Sequence, residues 1–100
     1  MVFVYITCKD KAEADKISRH LLEKRLIACT NSFPISSSYW WKGKIETEDE
    51  YLLICKTLKE KYEKIIEQVK KIHSYDVPCI SLIPSDSNPE YLNWAKEEIE

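Results

Sequence analysis

The sequence predicts an α+β fold with the element order βαββαβ and one added C-terminal helix. Three observations lead there: four apolar stretches typical of strands, two amphipathic helical stretches between them, and no linker anywhere in the 100 residues. The right-handed rule for crossover connections then favours a split-βαβ, ferredoxin-like sheet with strand order 4-1-3-2. We expect a single domain spanning residues 1–100, with the two main helices on one face of the sheet.

The first part of the chain is expected to supply a strand, a helix and a second strand. Val2 to Cys8 is an unbroken apolar run rich in β-branched and aromatic residues, which predicts a strand buried on both faces. Asp10, with Glu13 three residues later, has the form of a capping box, so a helix is expected from there to about Arg25. Leu26 to Ile35 is expected to be the second strand.

The segment from Ser38 to Thr57 predicts a long hairpin with three adjacent aromatic residues near its tip: Tyr39, Trp40 and Trp41. Ser36 to Ser38 is expected to loosen the chain before these aromatics. Thr47 to Asp49 is expected to form the polar turn, and Tyr51 to Thr57 the third strand. Because three large rings cannot all turn inward on a short strand pair, we expect them to meet a partner surface or a binding cleft.

The remaining elements follow the same logic. Apolar residues with helical spacing between Tyr62 and Ile72 predict a second helix whose other face is charged. Val77 to Ile83 is expected to be the fourth strand, closed by Pro84. Asn88 as cap and Pro89 at the first helical position predict the C-terminal helix.

The strands themselves predict self-association. VFVYI in the first strand and YLLIC in the third are apolar at consecutive positions, whereas a sheet wetted on one side alternates apolar and polar residues. Leaving the second face in water would cost about 25 cal/mol per Å² of apolar surface. We therefore expect an obligate homo-oligomer in which copies of the chain cover that face.

Composition excludes several classes of function. Gly43 is the only glycine, which argues against glycine-rich phosphate loops of the Rossmann or Walker type. A net charge of −2 with interleaved signs gives no footprint for nucleic acid or membrane, and the third strand lacks the basic, aromatic-rich run of RNA-recognition domains. The start of the chain lacks a signal-peptide pattern and no apolar run is long enough to span a membrane, so we expect a cytoplasmic protein.

The cysteines and histidines leave two readings open. Cys8, Cys29, Cys55 and Cys79 fall one per predicted strand without any CxxC pair, which favours buried reduced thiols. The alternative is a thiol that contributes to a soft-metal site at a subunit junction. His73 is expected to cap the end of the second helix and His20 to be solvated. Glu50 beside a strand and Lys56 within it are candidates for a cleft.

With these residues laid out, the chain closely resembles the divalent-cation tolerance protein family CutA almost from end to end. Five segments carry the resemblance: LLEKRLIACTN from Leu21 to Asn31, SYWWKGKIE from Ser38 to Glu46, EYLLICKT from Glu50 to Thr57, HSYDVP from His73 to Pro78, and NPEYLNW from Asn88 to Trp94. The resemblance implies a tight homotrimer, similar in plan to the PII signalling proteins, with sheets inside and helices outside.

For function, the resemblance implies a non-enzymatic protein linked to tolerance of copper and other divalent metals, with copper binding in some members. It implies Cys29 and His73 as soft-metal ligands. Where some members hold a first-strand cysteine ligand, this chain holds Ile6. Cys8 lies two residues further on, on the same face of the strand, and is the candidate to replace it, with a reach that differs by about 6 to 7 Å. Subunit contacts and the cleft between subunits are implied for Tyr39, Trp40, Lys56, Tyr75 and Tyr91. The alternative function is a PII-like small-molecule sensor or partner-binding scaffold that uses the intersubunit cleft.

Overall fold

A computed structural model describes residues 1–100. The strands are β1 (Val2–Cys8), β2 (Cys29–Trp41), β3 (Lys44–Thr57) and β4 (Ile80–Pro84), and the helices are α1 (Lys11–Glu23), α2 (Tyr62–Ile72) and α3 (Pro89–Glu98). A short 3-10 turn, Lys59–Lys61, precedes α2. This is the predicted βαββαβ order with an added helix.

The four strands form one antiparallel sheet in the order β2-β3-β1-β4, which confirms the predicted topology. β1 lies between β3 and β4, and its register pairs Cys8 with Tyr51 and Val2 with Thr57. The ends of β1 and α2 and the start of α1 therefore meet at one end of the sheet. The candidate site lies at this end.

One face of the sheet holds the hydrophobic core. Val4, Ile6 and Cys8 of β1 are fully buried, as are Leu53 and Cys55 of β3. They pack against the apolar stripes of the two main helices, whose buried members are Ala14, Ile17 and Leu21 in α1 and Ile65 and Val69 in α2. Fully buried Val, Leu and Ile side chains each contribute about 1.5–3 kcal/mol, so burial on this face is a large stabilising contribution within a single chain.

The opposite face, which we call the open face, is only partly covered within one chain. β1 alternates between buried residues and the half-buried residues Phe3, Tyr5 and Thr7. Phe33 of β2 is 43% exposed and Ile83 of β4 is 45% exposed on this same side. A single subunit thus buries one face of β1, and burial of both faces stays a prediction that depends on other copies.

The long hairpin is confirmed, but its turn was predicted at the wrong place. β2 and β3 pair without interruption from Cys29 opposite Lys56 to Trp41 opposite Lys44, so Thr47 to Asp49 is strand and Ser36 to Ser38 is paired. The chain reverses at Lys42 and Gly43, whose φ angles of 50° and 79° are those of a two-residue type I′ turn. The only glycine is used here, because such turns need positive φ at both central residues.

Three smaller predictions also needed correction. β4 begins at Ile80 instead of Val77, whose side chain is 89% exposed. His20 is not simply solvated, since its Nε2 lies 2.9 Å from Gln68 Oε1 and thereby joins α1 to α2. The Asn88 side chain makes no capping hydrogen bond to the start of α3 and donates to Glu90 instead.

The capping box at α1 is confirmed in modified form. Asp10 Oδ1 accepts a 2.9 Å hydrogen bond from the Glu13 amide, as predicted. Glu13 Oε1, however, accepts from the amide of Lys9, one residue before the cap. None of the helices is long and apolar enough to cross a membrane.

Candidate functional site

Three side chains with metal-ligating atoms converge at the end of the sheet where β1 finishes. Cys8 is the last residue of β1, Glu13 lies in the first turn of α1, and His73 is the residue at which α2 ends. Their sulfur, oxygen and nitrogen donor atoms all lie within 4.8 Å of one another. We call these residues the Cys8 cluster. Thiolate, carboxylate and imidazole are the ligand types that zinc and similar metals take, so the cluster could hold such an ion.

Hydrogen bonds fix the imidazole of His73 in one orientation. Nε2 lies 2.9 Å from the carbonyl oxygen of Thr7 and must donate to it, while Nδ1 accepts from the amide of Tyr75 at 3.0 Å. This pattern assigns the neutral tautomer that carries its proton on Nε2. The side chain is fully buried, and its Nδ1 lies 3.9 Å from Glu13 Oε1.

Glu13 joins three segments of the chain. Its Oε1 accepts from the Lys9 amide, and its Oε2 accepts from the Ser74 amide at 2.8 Å, so one carboxylate links the residue after β1, α1 and the loop after α2. Burial opposes ionisation, but the hydrogen bonds from Ser74 and Lys9 outweigh it and hold the pKa of Glu13 below its usual value. Glu13 is therefore an anion at neutral pH.

Cys8 is a buried thiol next to that anion. Burial first, and then the charges of Glu13 and Glu50, raise the pKa of Cys8 to about 12. The thiol is thus protonated and unreactive at neutral pH. Metal coordination would deprotonate it, because a cation inverts the local electrostatics.

Tyr75 and Glu50 form a second polar contact beside the cluster. The Tyr75 hydroxyl donates to Glu50 Oε2 at 2.5 Å, and Glu50 is only 9% exposed. Burial, then the hydrogen bond to Glu50, raises the pKa of Tyr75. The ring of Tyr75 also lies 4.8 Å from that of His73, centroid to centroid. Tyr75 and Glu50, both predicted cleft residues, are thus in contact, and Tyr75 lies against His73, a predicted metal ligand.

Cys29, Lys56 and Tyr91 meet at the other end of the sheet. Cys29 and Lys56 face each other across β2 and β3, and both are half-buried. The ammonium of Lys56 lies 5.3 Å from the ring centroid of Tyr91 in α3, a cation–π distance. Burial, then a hydrogen bond to Cys29, raises the pKa of Tyr91.

Cys29 and His73 do not share a site within one subunit. His73 bonds to Thr7, which pairs with Leu52, whereas Cys29 pairs with Lys56, four residues further along the same strand. At about 3.3 Å per residue, this offset separates the two regions by about 13 Å. A metal held by both residues would require two subunits, and that stays a prediction.

The aromatic residues of the hairpin are separate from both groups. Tyr39, Trp40 and Trp41 are 36%, 73% and 58% exposed at the tip, where Ile45 adds a further apolar side chain. Such a concentration of exposed rings is typical of a contact surface.

An open groove of about 430 Å³ lies between the start of α1 and the hairpin, and Glu50 is the only predicted site residue that lines it.

Sequence reasoning missed Glu13 as a partner of His73, because helix capping alone accounts for it in the sequence. It pointed to Cys8 only as a replacement for the first-strand cysteine ligand that the resemblance implies, and not as a neighbour of Glu13. The available signal was topological, because the predicted strand order already brings the end of β1 beside the end of α2. Nothing in the sequence around His73 indicated that its side chain would be fully buried.

Comparison with known proteins gives one consistent result. Residues 2–98 match the family model described as CutA1 divalent ion tolerance protein. The divalent-cation tolerance protein CutA of Archaeoglobus fulgidus is 46% identical over 99 residues, which cover 98% of this chain and 97% of that one. The protein of the same description from Thermotoga maritima is 43% identical over 100 residues, covering 99% of each chain.

Solved structures agree with this result. The structure from Archaeoglobus fulgidus, described there as a periplasmic divalent cation tolerance protein CutA, superposes with a TM-score of 0.97 at 46% identity and full coverage of both chains. CutA1 from Pyrococcus horikoshii superposes with a TM-score of 0.95 at 40% identity, covering 100% of this chain and 99% of that one. The resemblance in the sequence motifs is thus confirmed, and the chain belongs to the CutA1 divalent ion tolerance family.

Proposed function

We propose that the protein is a homotrimer that binds divalent metal ions, copper among them, and supports metal tolerance without catalysing a reaction. The observation that carries the proposal is the open face. Phe33 and Ile83 are each more than two-fifths exposed in a single chain, and half-buried aromatic residues of β1 lie between their strands. Covering this surface with other copies would stabilise the assembly by about 25 cal/mol per Å² of apolar area.

The metal part of the proposal is supported by the family and by the donor groups. Relatives described as divalent-cation tolerance proteins match nearly the whole chain, and four free cysteines supply soft ligands. Cys29 and His73 remain the ligands proposed at a subunit junction, contributed by different subunits.

Free thiols are typical of a reducing compartment, so we propose a cytoplasmic location, to be checked by cell fractionation.

Calorimetric titration of the reduced protein with zinc, and chelator competition with copper(I), test the metal part of the proposal. Saturable uptake by the assembled protein is expected. The double variant Cys29→Ser/His73→Ala should lose uptake if those residues are ligands, whereas Cys79→Ser, which changes an exposed thiol, should not. Absence of saturable uptake of either metal by the unaltered protein would contradict the function proposed here.

A second candidate function is supported by Lys56. Its half-buried ammonium has the ring of Tyr91 as its cation–π neighbour and forms no salt bridge within the chain. A cation left without an anionic partner on a subunit surface suits an anionic ligand, so a PII-like sensor of small anions is the alternative.

Thermal unfolding distinguishes the two functions. A ligand that binds only the folded assembly raises Tm, and the rise grows with the logarithm of the ligand concentration above Kd. The sensor function predicts a rise with carboxylate or phosphate metabolites that is lost in Lys56→Met and kept in Lys59→Met, an exposed lysine outside the sheet. No rise with such anions, together with a rise with zinc, would rule out the sensor.

A further inference from the structure

We propose that Cys8, Glu13 and His73 form a metal site inside each single subunit, suited to a borderline transition-metal dication of the zinc type. This inference rests on the proposed metal-binding function but assigns a different place for the ion. It is an alternative to the junction site, which pairs Cys29 and His73 from different subunits, because the one lone pair of the His73 ring can bind only one ion. The site proposed here is built from β1, α1 and the end of α2 of one chain.

The spacing of the donor atoms suits a small ion. Three donors that are mutually no more than 4.8 Å apart lie no more than about 2.8 Å from a common centre, and zinc takes sulfur, nitrogen and oxygen ligands at about 2.0–2.3 Å. A shift of each side chain by about 0.5–0.8 Å therefore reaches bonding distance. The 3.9 Å separation of His73 Nδ1 and Glu13 Oε1 is about half an ångström longer than the edge that joins an N and an O ligand in a tetrahedral zinc shell.

The hydrogen bonds around His73 resemble those of histidines that ligate metals. Such histidines usually donate their other ring N–H to a carbonyl or carboxylate, which fixes the tautomer and directs the remaining lone pair toward the metal. Here Nε2 donates to the Thr7 carbonyl, so the ring lone pair is on Nδ1, which faces the cluster. The only group that competes for this lone pair is the Tyr75 amide at 3.0 Å.

Charge also favours a dication. With Glu13 as a carboxylate and the Cys8 thiol deprotonated on coordination, the three ligands together carry two negative charges, which balance a dication. The mixed sulfur, nitrogen and oxygen donor set selects zinc, cobalt or copper over magnesium and calcium, which take oxygen ligands.

The loop after α2 links ion binding at the cluster to the surface of the protein. Residues 73–79 contain no regular structure, and Val77 within them is highly exposed. Coordination at Nδ1 releases the Tyr75 amide, and Tyr75 is also the donor to Glu50 on β3. Metal binding is therefore expected to rearrange Tyr75 and the loop around it.

Cobalt(II) titration of the reduced protein without oxygen tests the site directly. Thiolate-bound cobalt gives a charge-transfer band in the near ultraviolet and intense visible bands when four-coordinate. We expect these bands to saturate at a single ion per chain. They should be lost in Cys8→Ser and retained in Cys29→Ser and Cys55→Ser, which serve as matched thiol controls in β2 and β3.

Two further readouts separate loss of the site from loss of the fold. The far-ultraviolet circular dichroism spectrum and the sedimentation coefficient of Cys8→Ser should equal those of the unaltered protein, which shows that the variant is folded and assembled. Glu13→Gln, which removes the negative charge and keeps one oxygen acceptor, should weaken cobalt binding at least about tenfold. In amide NMR spectra, zinc should shift the Tyr75 resonance in the unaltered protein and leave it in place in Cys8→Ser.

The outcomes distinguish the site from the function. If the bands persist in folded Cys8→Ser, or vanish in Cys29→Ser, this site is wrong, while metal binding by the protein stands and the junction site gains support. If the unaltered protein shows no saturable uptake of zinc, cobalt or copper, both the proposed function and this site are wrong.

Discussion

The hydroxyl of Tyr75 donates a 2.5 Å hydrogen bond to Glu50 Oε2, and the amide of the same tyrosine donates to His73 Nδ1. The loop after α2 is thus fastened to β3 by a side chain and to the Cys8 cluster by the backbone. Glu50 is buried on the open-face side of the sheet, where copies of the chain are proposed to pack. The loop therefore connects the proposed metal site with the proposed subunit surface.

Replacing Tyr75 by Phe tests this connection. The change removes the donor and leaves a buried carboxylate short of a partner, so the free energy of unfolding should fall by about 1–3 kcal/mol. Urea denaturation at a fixed chain concentration measures the loss. Glu50→Gln keeps an acceptor for the phenol and should cost less than Tyr75→Phe. Equal stability of Tyr75→Phe and the unaltered protein would show that the contact is not formed in solution.

Alkaline pH should weaken the same contact. Burial and the bond to Glu50 raise the pKa of Tyr75 above its unfolded value, so the stability from the neutral phenol is fully present below the unfolded pKa of about 10 and is lost as pH rises beyond it. The free energy of unfolding of the unaltered protein should thus fall more steeply above about pH 10 than that of Tyr75→Phe. Parallel curves for the two proteins would contradict the assignment.

Three of the four thiols should react with iodoacetamide in an order set by their burial. Cys79 is exposed and should be modified first, while Cys8 and Cys55 are fully buried and should be protected until the protein unfolds. Burial, then the neighbouring thiols Cys8 and Cys29, raises the pKa of Cys55, which lowers its reactivity further. Peptide mass spectrometry after timed alkylation gives the order. Early labelling of Cys55 in the folded protein would contradict the packing of the core.

The hairpin turn should depend on Gly43. A side chain there meets no atom within 4 Å, so the cost of substitution comes from the backbone, whose φ is +79°. Gly43→Val should therefore destabilise the protein by about 1–2 kcal/mol, whereas Gly43→Asn, which tolerates this conformation, should cost only a few tenths. Thermal unfolding of both variants measures the difference. Equal losses would argue against a type I′ turn.

Local sequence rules predicted most of the elements. The Asp10 cap, β1 from Val2 to Cys8 and α2 from Tyr62 to Ile72 match the structure because periodicity and capping act over a few residues. The turn was missed because the polar run at Thr47 to Asp49 resembles a loop, although paired strands outside a core tolerate polar residues. Lys42-Gly43 was the better turn signal.

The candidate site was predicted only in part, for a physical reason. His73 and Tyr75 were named from their segment, but their partners Glu13 and Glu50 are 60 and 25 positions away in the chain. Such contacts are created by packing of α1 and β3, and local composition carries no record of them. Cys29 was named as the partner of His73, yet within one chain its neighbours are Lys56 and Tyr91.

Sedimentation equilibrium of the reduced protein at micromolar concentration tests the central claim most directly, since the proposed assembly follows from the uncovered apolar face. The account predicts a single species of three times 11.8 kDa, about 35 kDa, that does not dissociate on dilution through this range. A folded species with the mass of one chain would contradict it.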